Sequence, residues 1–322
     1  TERVHADSLD RYVNELAHHF YLGAALADSD KAIHYCSAAG ERALRLLAFE
    51  EAVGHLTRAL EVAEKFGGTD PSTRCDTLIA LAEAQNRAGD VTHSNANFER
   101  AAALARSIGD PERLASTALR AGPLTYLGIV GAHKEQIALL EEALAALPGD
   151  DSHLRSRVTA QLALVIVAES GVPAPGVLDR ALALNSDAVA MARRLGDRVA
   201  LGYALRARMH VLWGIDPAPE RLALGTELGQ IADDVGDQFL ALHGHMWRIR
   251  ELLAQGDVDA VSQELARFEA RDTGPVHPLQ SSYSLNVGAM MALIAGEFDQ
   301  AEWMARRSME VAQGHNDHMV SF

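Results

Sequence analysis

The chain has 322 residues, 48% of them hydrophobic and only 5% aromatic, with 29 basic against 44 acidic side chains. This length exceeds the roughly 150 residues of one ordinary domain, so two globular domains and one extended repeat array are both open. A net charge of −15 would repel a phosphate backbone, and no apolar run approaches the roughly 20 residues that span a bilayer, so we expect neither nucleic-acid contact nor a membrane segment.

The cysteines and the chain ends favour a cytoplasmic fragment. Cys36 and Cys75 form no CxxC pair, and no secretory signal is present, which predicts a reducing, cytoplasmic setting. The sequence begins at Thr1 without an initiator Met and stops soon after a repeat ends. These ends suggest a segment of a longer polypeptide.

The predicted elements begin with one helix at about residues 8–27, within an N-terminal capping or linker segment at 1–28. Two interleaved series of turns follow, each with a period of about 40 residues. The first series lies at Ala48, Gly89, Gly131, Gly171, Gly214, Gly256 and Gly296. The second lies at Gly67, Gly109, Gly149, Gly196, Gly236, Gly274 and Gly314. A glycine ends a helix and a following aspartate caps the next one, so each Gly-Asp pair indicates a stop and a restart.

The segments between turns are amphipathic, with apolar residues three and four apart. In three of the second helices small residues flank a central residue at intervals of four and three: Ala52-Leu56-Ala59, Ser94-Phe98-Ala101 and Ala301-Ala305-Ser308. A fixed repeat length favours a solenoid over an ordinary helix bundle. The sequence thus predicts an all-α, tetratricopeptide-like superhelical solenoid of seven hairpins over 29–322, with a bend expected at the irregular loop 170–176.

Several motifs of the C-terminal half resemble the tetratricopeptide-like region of large multidomain bacterial signalling proteins. They are residues 192–197 (ARRLGD), 212–214 (LWG), 220–222 (ERL), 247–248 (WR) and 297–302 (EFDQAE), and the start of that region is similar to 41–53. In that family the region follows an ATPase module, and the whole protein is commonly a LuxR-type transcriptional regulator or a nucleotide cyclase with a regulatory ATPase. The resemblance implies a sensor or docking arm of a larger switch protein.

Chemistry-bearing motifs are missing from the sequence. It has no GxxxxGK[ST] loop and no basic helix-turn-helix, so we expect the ATPase and output domains outside this segment. Neither cysteine and no serine lies in a nucleophile motif. The histidine pairs 18/19, 243/245 and 315/318 lack an HExxH pattern, and we expect no metal site, no cofactor and no catalytic residue.

Counting back from the first-series turns predicts the binding surface. In tetratricopeptide arrays the first helix of each hairpin lines the concave face, and its exposed side chains recur at fixed offsets before the turn. Those offsets, with Trp247 added because its register points toward the groove, collect the following candidate residues: Arg208, His243, Met246, Trp247, Arg250, Tyr283 and Asn286. Trp213 is expected in the core, whereas both the core and the groove remain open for Trp247. Two arginines on an acidic chain favour an anionic ligand group, unless both pair with neighbours such as Asp237 or Glu251.

Three function classes remain open from sequence. The first is a regulatory arm that binds a protein or peptide partner in the groove, and the second is a sensor of an anionic small-molecule effector in the same groove. The third is a catalytic domain, which the missing motifs disfavour. Self-association is left open.

Overall fold

The computed structural model of the protein describes residues 12–24, 29–66, 70–122, 133–170, 174–213, 218–270 and 278–313. Within these ranges the chain forms fifteen α-helices and no β-strand. The predicted all-α fold is therefore confirmed. The helices cluster into two compact units, Thr1–Leu124 and Thr125–Phe322.

The first unit begins with the helix predicted at the N-terminus and continues with antiparallel hairpins. Its helices are α1 Val13–Gly23, α2 Ser29–Arg45, α3 Phe49–Phe66, α4 Pro71–Arg87, α5 Val91–Ile108 and α6 Pro111–Arg120. The α2/α3 and α4/α5 pairs pack as hairpins, and the first helices α2, α4 and α6 also contact one another in sequence. This side-by-side arrangement of first helices is what stacked hairpin repeats produce.

The second unit repeats the same organisation. Its helices are α7 Lys134–Ala146, α8 His153–Ser170, α9 Pro175–Leu195, α10 Arg198–Val211, α11 Ala218–Val235, α12 Gln238–Gln255, α13 Val258–Glu269, α14 Pro278–Ala295 and α15 Phe298–Gln313. The hairpins are α8/α9, α10/α11, α12/α13 and α14/α15, and the first helix α10 contacts both α8 and α12. Of the seven predicted hairpins, six have both helices within one unit. The third would pair α6 with α7, and its turn lies outside the described residues.

The Gly-Asp pairs stop and restart helices as the sequence predicts. Gly196 ends α9 in the left-handed conformation, with φ 67°, and the Asp197 carboxylate accepts a hydrogen bond from the Ala200 N–H at the start of α10. Gly236 has φ 68°, and the Asp237 carboxylate caps α12 in the same way. Each aspartate satisfies one of the N–H groups that a helix start leaves unpaired.

The core lies where the small residues let helices approach. Ala52, Leu56 and Ala59 on α3 are all fully buried. Leu56 lies against Gly40 of α2, and a Cβ added to Gly40 would sit 2.5 Å from the Leu56 Cγ. Phe98 of α5 is likewise buried between small residues. In α15 Ser308 is buried, as the small-residue series predicts, while Ala305 is exposed. Part of the loop 170–176, where a bend is expected, lies outside the described residues.

Candidate functional site

The candidate site lies on one face of the first helices of the second unit. The middle helix α10 packs between α8 and α12, and the Tyr283 hydroxyl of α14 donates a hydrogen bond of 2.9 Å to the Met246 carbonyl of α12. Basic and aromatic side chains from three of these helices are in mutual contact. We call this set the first-helix face: Arg157, Tyr203, Arg206, His210, Trp213, Phe239, His243, Trp247 and Arg250.

Arg250 and two tryptophans form one end of the first-helix face. The guanidinium carbon of Arg250 lies 3.7 Å from the ring centroid of Trp213 and 5.3 Å from that of Trp247. The two indoles meet edge to face, with centroids 6.2 Å apart. Trp247 is buried, whereas Trp213 is 48% exposed although the sequence placed it in the core. Trp213 follows the last turn of α10, and the Arg250 guanidinium lies over its ring.

Arg250 has aromatic neighbours in place of the acidic ones that were considered from sequence. Burial lowers the pKa of Arg250 below its usual value, against the opposing effect of nearby Tyr283 and Glu251. Among the described residues no side chain makes a hydrogen bond or ion pair with it. The buried Glu251 carboxylate instead pairs with Arg221 at 2.8 Å, and the Asp237 carboxylate is occupied at the start of α12. The guanidinium therefore retains N–H groups that can bind a ligand.

His210 lies beneath this end of the face as a neutral group. Its ring is 5.0 Å from that of Trp247 and 6.4 Å from that of His243, and its Nδ1 lies 3.0 Å from the Arg206 carbonyl oxygen. Burial, assisted by the positive charges of Arg206 and Arg250, lowers the pKa of His210 to about 3. The ring consequently carries no charge at neutral pH, and Arg250 is the cation of this end.

The other end of the first-helix face repeats the combination of arginine and ring. Arg157 of α8 lies 4.4 Å from the Tyr203 ring centroid, and Arg206 lies 5.4 Å from that of Phe239. Arg206 is buried and donates through Nη2 to the side-chain oxygen of Gln161 at 2.9 Å. Helices α8, α10 and α12 are thus joined across this face by polar and cation–π contacts.

The structure brings together three of the residues predicted from sequence, His243, Trp247 and Arg250. Met246 is buried and packs with Phe268 and Tyr283, so it belongs to the core beneath the face. Tyr283 is held by its hydrogen bond to the Met246 carbonyl. Asn286 lies on α14, partly buried, one turn beyond Tyr283.

Arg208 lies away from the other predicted site residues. Its Nη1 donates to the Ser186 hydroxyl of α9 at 3.3 Å, and helical geometry puts it on the side of α10 opposite Arg206 and His210. The sequence prediction of Arg208 counted residues back from the turn glycine Gly214. Helix α10 ends at Val211, three residues before that glycine, whereas α12 ends at Gln255, directly before Gly256. The repeats are in register at their N-terminal caps.

Counting from those caps finds three of the residues that counting from the turns missed. With Asp197 aligned to Asp237, Tyr203 falls level with His243 and His210 with Arg250. The same count places Arg206 level with Met246. For α10 and α12 the capping aspartates therefore indicate the register, and the turn glycines Gly214 and Gly256 do not.

The remaining residues considered from sequence are the histidine pairs, as metal ligands, and the cysteines, as nucleophiles. His245 and His243 diverge, because His245 Nδ1 lies 2.8 Å from the Glu264 carboxylate while His243 Nδ1 lies 2.9 Å from the Phe239 carbonyl oxygen. The described residues hold no group of three potential metal ligands, and positions 315 and 318 lie outside them. Burial raises the pKa of Cys36 to about 11, so its thiol is protonated at neutral pH. No described helix is long and apolar enough to cross a membrane.

Comparison with known proteins gives structural matches alone. No protein-family model matches the chain, and neither does any curated protein sequence. A Rap protein complexed with competence and sporulation factor superposes with a TM-score of 0.59 at 13% identity, over 90% of this chain and 77% of that one.

A second match is a signal transduction ATPase with numerous domains from Pyrococcus horikoshii, which has a tetratricopeptide repeat sensor. Its TM-score is 0.54 at 10% identity, over 95% of this chain. The fold is that of tetratricopeptide-like helical repeats. This chain spans 45% of the length of the Pyrococcus protein and 77% of the Rap protein. At these identities the likeness concerns the fold.

Proposed function

We propose that this chain is a regulatory interaction domain that binds a protein or peptide segment on the first-helix face of its second unit. The observation that carries the proposal is Arg250, a partly buried cation stacked on the exposed Trp213, with no ionic partner among the described residues. An arrangement that buries a charge without pairing it is costly, so it favours a ligand that supplies the missing partner.

The extent of the face favours a segment of a partner over a single small molecule. Its contacting side chains come from α8, α10 and α12 and include rings next to arginines, which are the residue types enriched at protein interfaces. The first-helix face carries positive charge on a chain of net charge −15, so electrostatic attraction favours the docking of an acidic partner there.

The regulatory part of the proposal draws on the two structural matches. One of those proteins carries its repeats as a sensor in a multidomain ATPase, and the other is bound to a factor. Together with the sequence motifs that resemble those of bacterial signalling proteins, these matches support a role as the sensing or docking arm of a larger regulator, with catalytic and output functions in other domains.

The proposal is tested by locating a bound peptide. A peptide is first selected from a random display library on the folded protein. A photo-crosslinking amino acid is then placed at His243 on α12 and, as the matched control, at the exposed Ser262 on α13. We expect crosslinking from position 243 alone. Crosslinking from 262 alone, or a selection that yields no binder, would contradict the proposal, and a small carboxylate that crosslinks while peptides do not would identify an effector sensor.

A further inference from the structure

Stacking leaves the in-plane edge of the Arg250 guanidinium available. At 3.7 Å the guanidinium carbon is in van der Waals contact with the Trp213 ring, and such contact uses the flat face of the cation. The N–H donors lie in the plane of the group and point outward from that contact. Two of them are parallel and match the two oxygens of a carboxylate.

The described charges around Arg250 favour an anionic ligand group. The groups that act on it electrostatically are Tyr283, Glu251 and Arg221. Arg221 and Glu251 neutralise each other at 2.8 Å, and burial raises the pKa of Tyr283, so its hydroxyl stays protonated. His210 is neutral as well. Among the described groups that act on Arg250, none offsets its positive charge, and a carboxylate carries the single negative charge that would balance it.

The exposed surface of Trp213 adds an apolar contact beside the anion site. Trp213 is 48% exposed, and its ring meets that of the buried Trp247 edge to face. A methylene or apolar side chain adjoining the carboxylate can pack on this uncovered surface. Burying such a group would stabilise the complex by about 0.8 kcal/mol per methylene.

We propose that Arg250 and Trp213 form a carboxylate subsite that grips an acidic side chain, or the terminal carboxylate, of a bound peptide segment. This inference rests on the proposed function and names the ligand chemistry of the same face. The carboxylate accepts two N–H bonds from Arg250, and the adjoining hydrocarbon packs on Trp213.

Double-mutant cycles test the subsite, with one cycle of four affinities for each carboxylate. A peptide selected as above is synthesised with its acidic residue as Glu or as Gln, with a free or an amidated C-terminus, and titrated against wild type and Arg250→Gln. We expect loss of the gripped carboxylate to weaken binding to wild type by at least about tenfold, the range of a hydrogen bond to a charged group. We expect almost no effect of the same change with Arg250→Gln. The comparison of free and amidated ends shows which carboxylate is gripped.

Two control variants separate charge from geometry. Arg306→Gln removes an exposed arginine that pairs with Glu302 on its own helix, and it should bind like wild type. Arg250→Lys keeps the charge but loses the planar fork, and it should recover only part of the lost affinity.

The outcomes separate this inference from the proposed function. If selected peptides crosslink from position 243 but show no carboxylate preference, or keep that preference with Arg250→Gln, the carboxylate subsite is wrong and the interaction face stands. If nothing crosslinks from 243, the proposed function itself fails. Matching thermal unfolding curves for wild type and Arg250→Gln ensure that lost binding is not lost folding.

Discussion

The two tryptophans beside Arg250 differ in how much of their surface the protein covers. Trp247 is 4% exposed and packs in a cluster with Met209 and Leu228, whereas Trp213 is 48% exposed. We expect Trp247→Ala to lower the free energy of unfolding by about 3–5 kcal/mol, because it empties a packed core position. Trp213→Ala should cost less than about 1 kcal/mol and instead weaken peptide binding. Urea denaturation with a parallel titration measures both, and equal stability losses would contradict the burial assignment.

A buried carboxylate on α13 makes the stability of the second unit depend on pH. The Glu264 side chain accepts hydrogen bonds from Arg248 Nε at 2.9 Å and Arg267 Nη1 at 3.0 Å, and lies 2.8 Å from His245 Nδ1. Burial alone would raise the pKa of Glu264, but the hydrogen bonds from His245 and Arg248 outweigh it and lower the pKa to about 2. A depressed pKa means that the unfolded chain binds the proton more readily.

The stabilisation from Glu264 should therefore be complete above pH 4.5 and be lost as the pH falls from there toward about 2. Glu264→Gln should lower the free energy of unfolding by about 3 kcal/mol at neutral pH, since it leaves two arginines facing a neutral group. It should also flatten the acid limb of the stability profile. Glu302→Gln, at an exposed pair on α15, should change neither. An unchanged acid slope in Glu264→Gln would refute the role of this carboxylate.

At the scale of elements, Gly244 lies where α11 and α12 approach most tightly through their backbones. A Cβ built on Gly244 of α12 would lie 3.2 Å from the Gly229 nitrogen and 3.3 Å from the Gly229 Cα on α11. These are backbone atoms, which cannot rotate aside as a side chain can. The two helices would have to separate to accept any larger residue.

We expect Gly244→Ala to destabilise the protein by about 1–3 kcal/mol through this overpacking. The matched control is Gly229→Ala, where an added Cβ meets no atom within 4 Å. It should be neutral, or stabilising by up to about 1 kcal/mol, because alanine favours the helix interior. Thermal unfolding of the two variants makes the comparison, and a Gly244→Ala protein as stable as Gly229→Ala would overturn this account of the α11–α12 contact.

Helix boundaries were predictable from sequence because they depend on local chemistry. Gly196 and Asp197 act through their own backbone and side chain, so two residues suffice to place a stop and a start. Which residue faces the site depends on register, and register is set by packing between helices. Arg250 lies on the first-helix face and Arg208 lies on the other side of α10, because α10 and α12 end differently relative to their turns while their capping aspartates align.

At the scale of the whole molecule, the repeat period predicted both the helical fold and the alternation of first and second helices. It could not predict that the helices form two compact units, 1–124 and 125–322, because each repeat obeys the same local pattern on either side of that division. Nor could net charge locate the basic, aromatic strip, since a total of −15 says nothing of where the arginines gather. The strip exists because arginines from α8, α10 and α12 find rings on neighbouring helices.

Hydrogen–deuterium exchange with and without a selected peptide tests the central claim most directly, because it reports on every helix at once. Binding on the first-helix face should slow exchange in α10 and α12, with smaller effects in α8 and α14. The second helices α11 and α13 should change little. Slowed exchange confined to α11, α13 or the first unit, with α10 and α12 unaffected, would show that the protein binds its partner through a different surface.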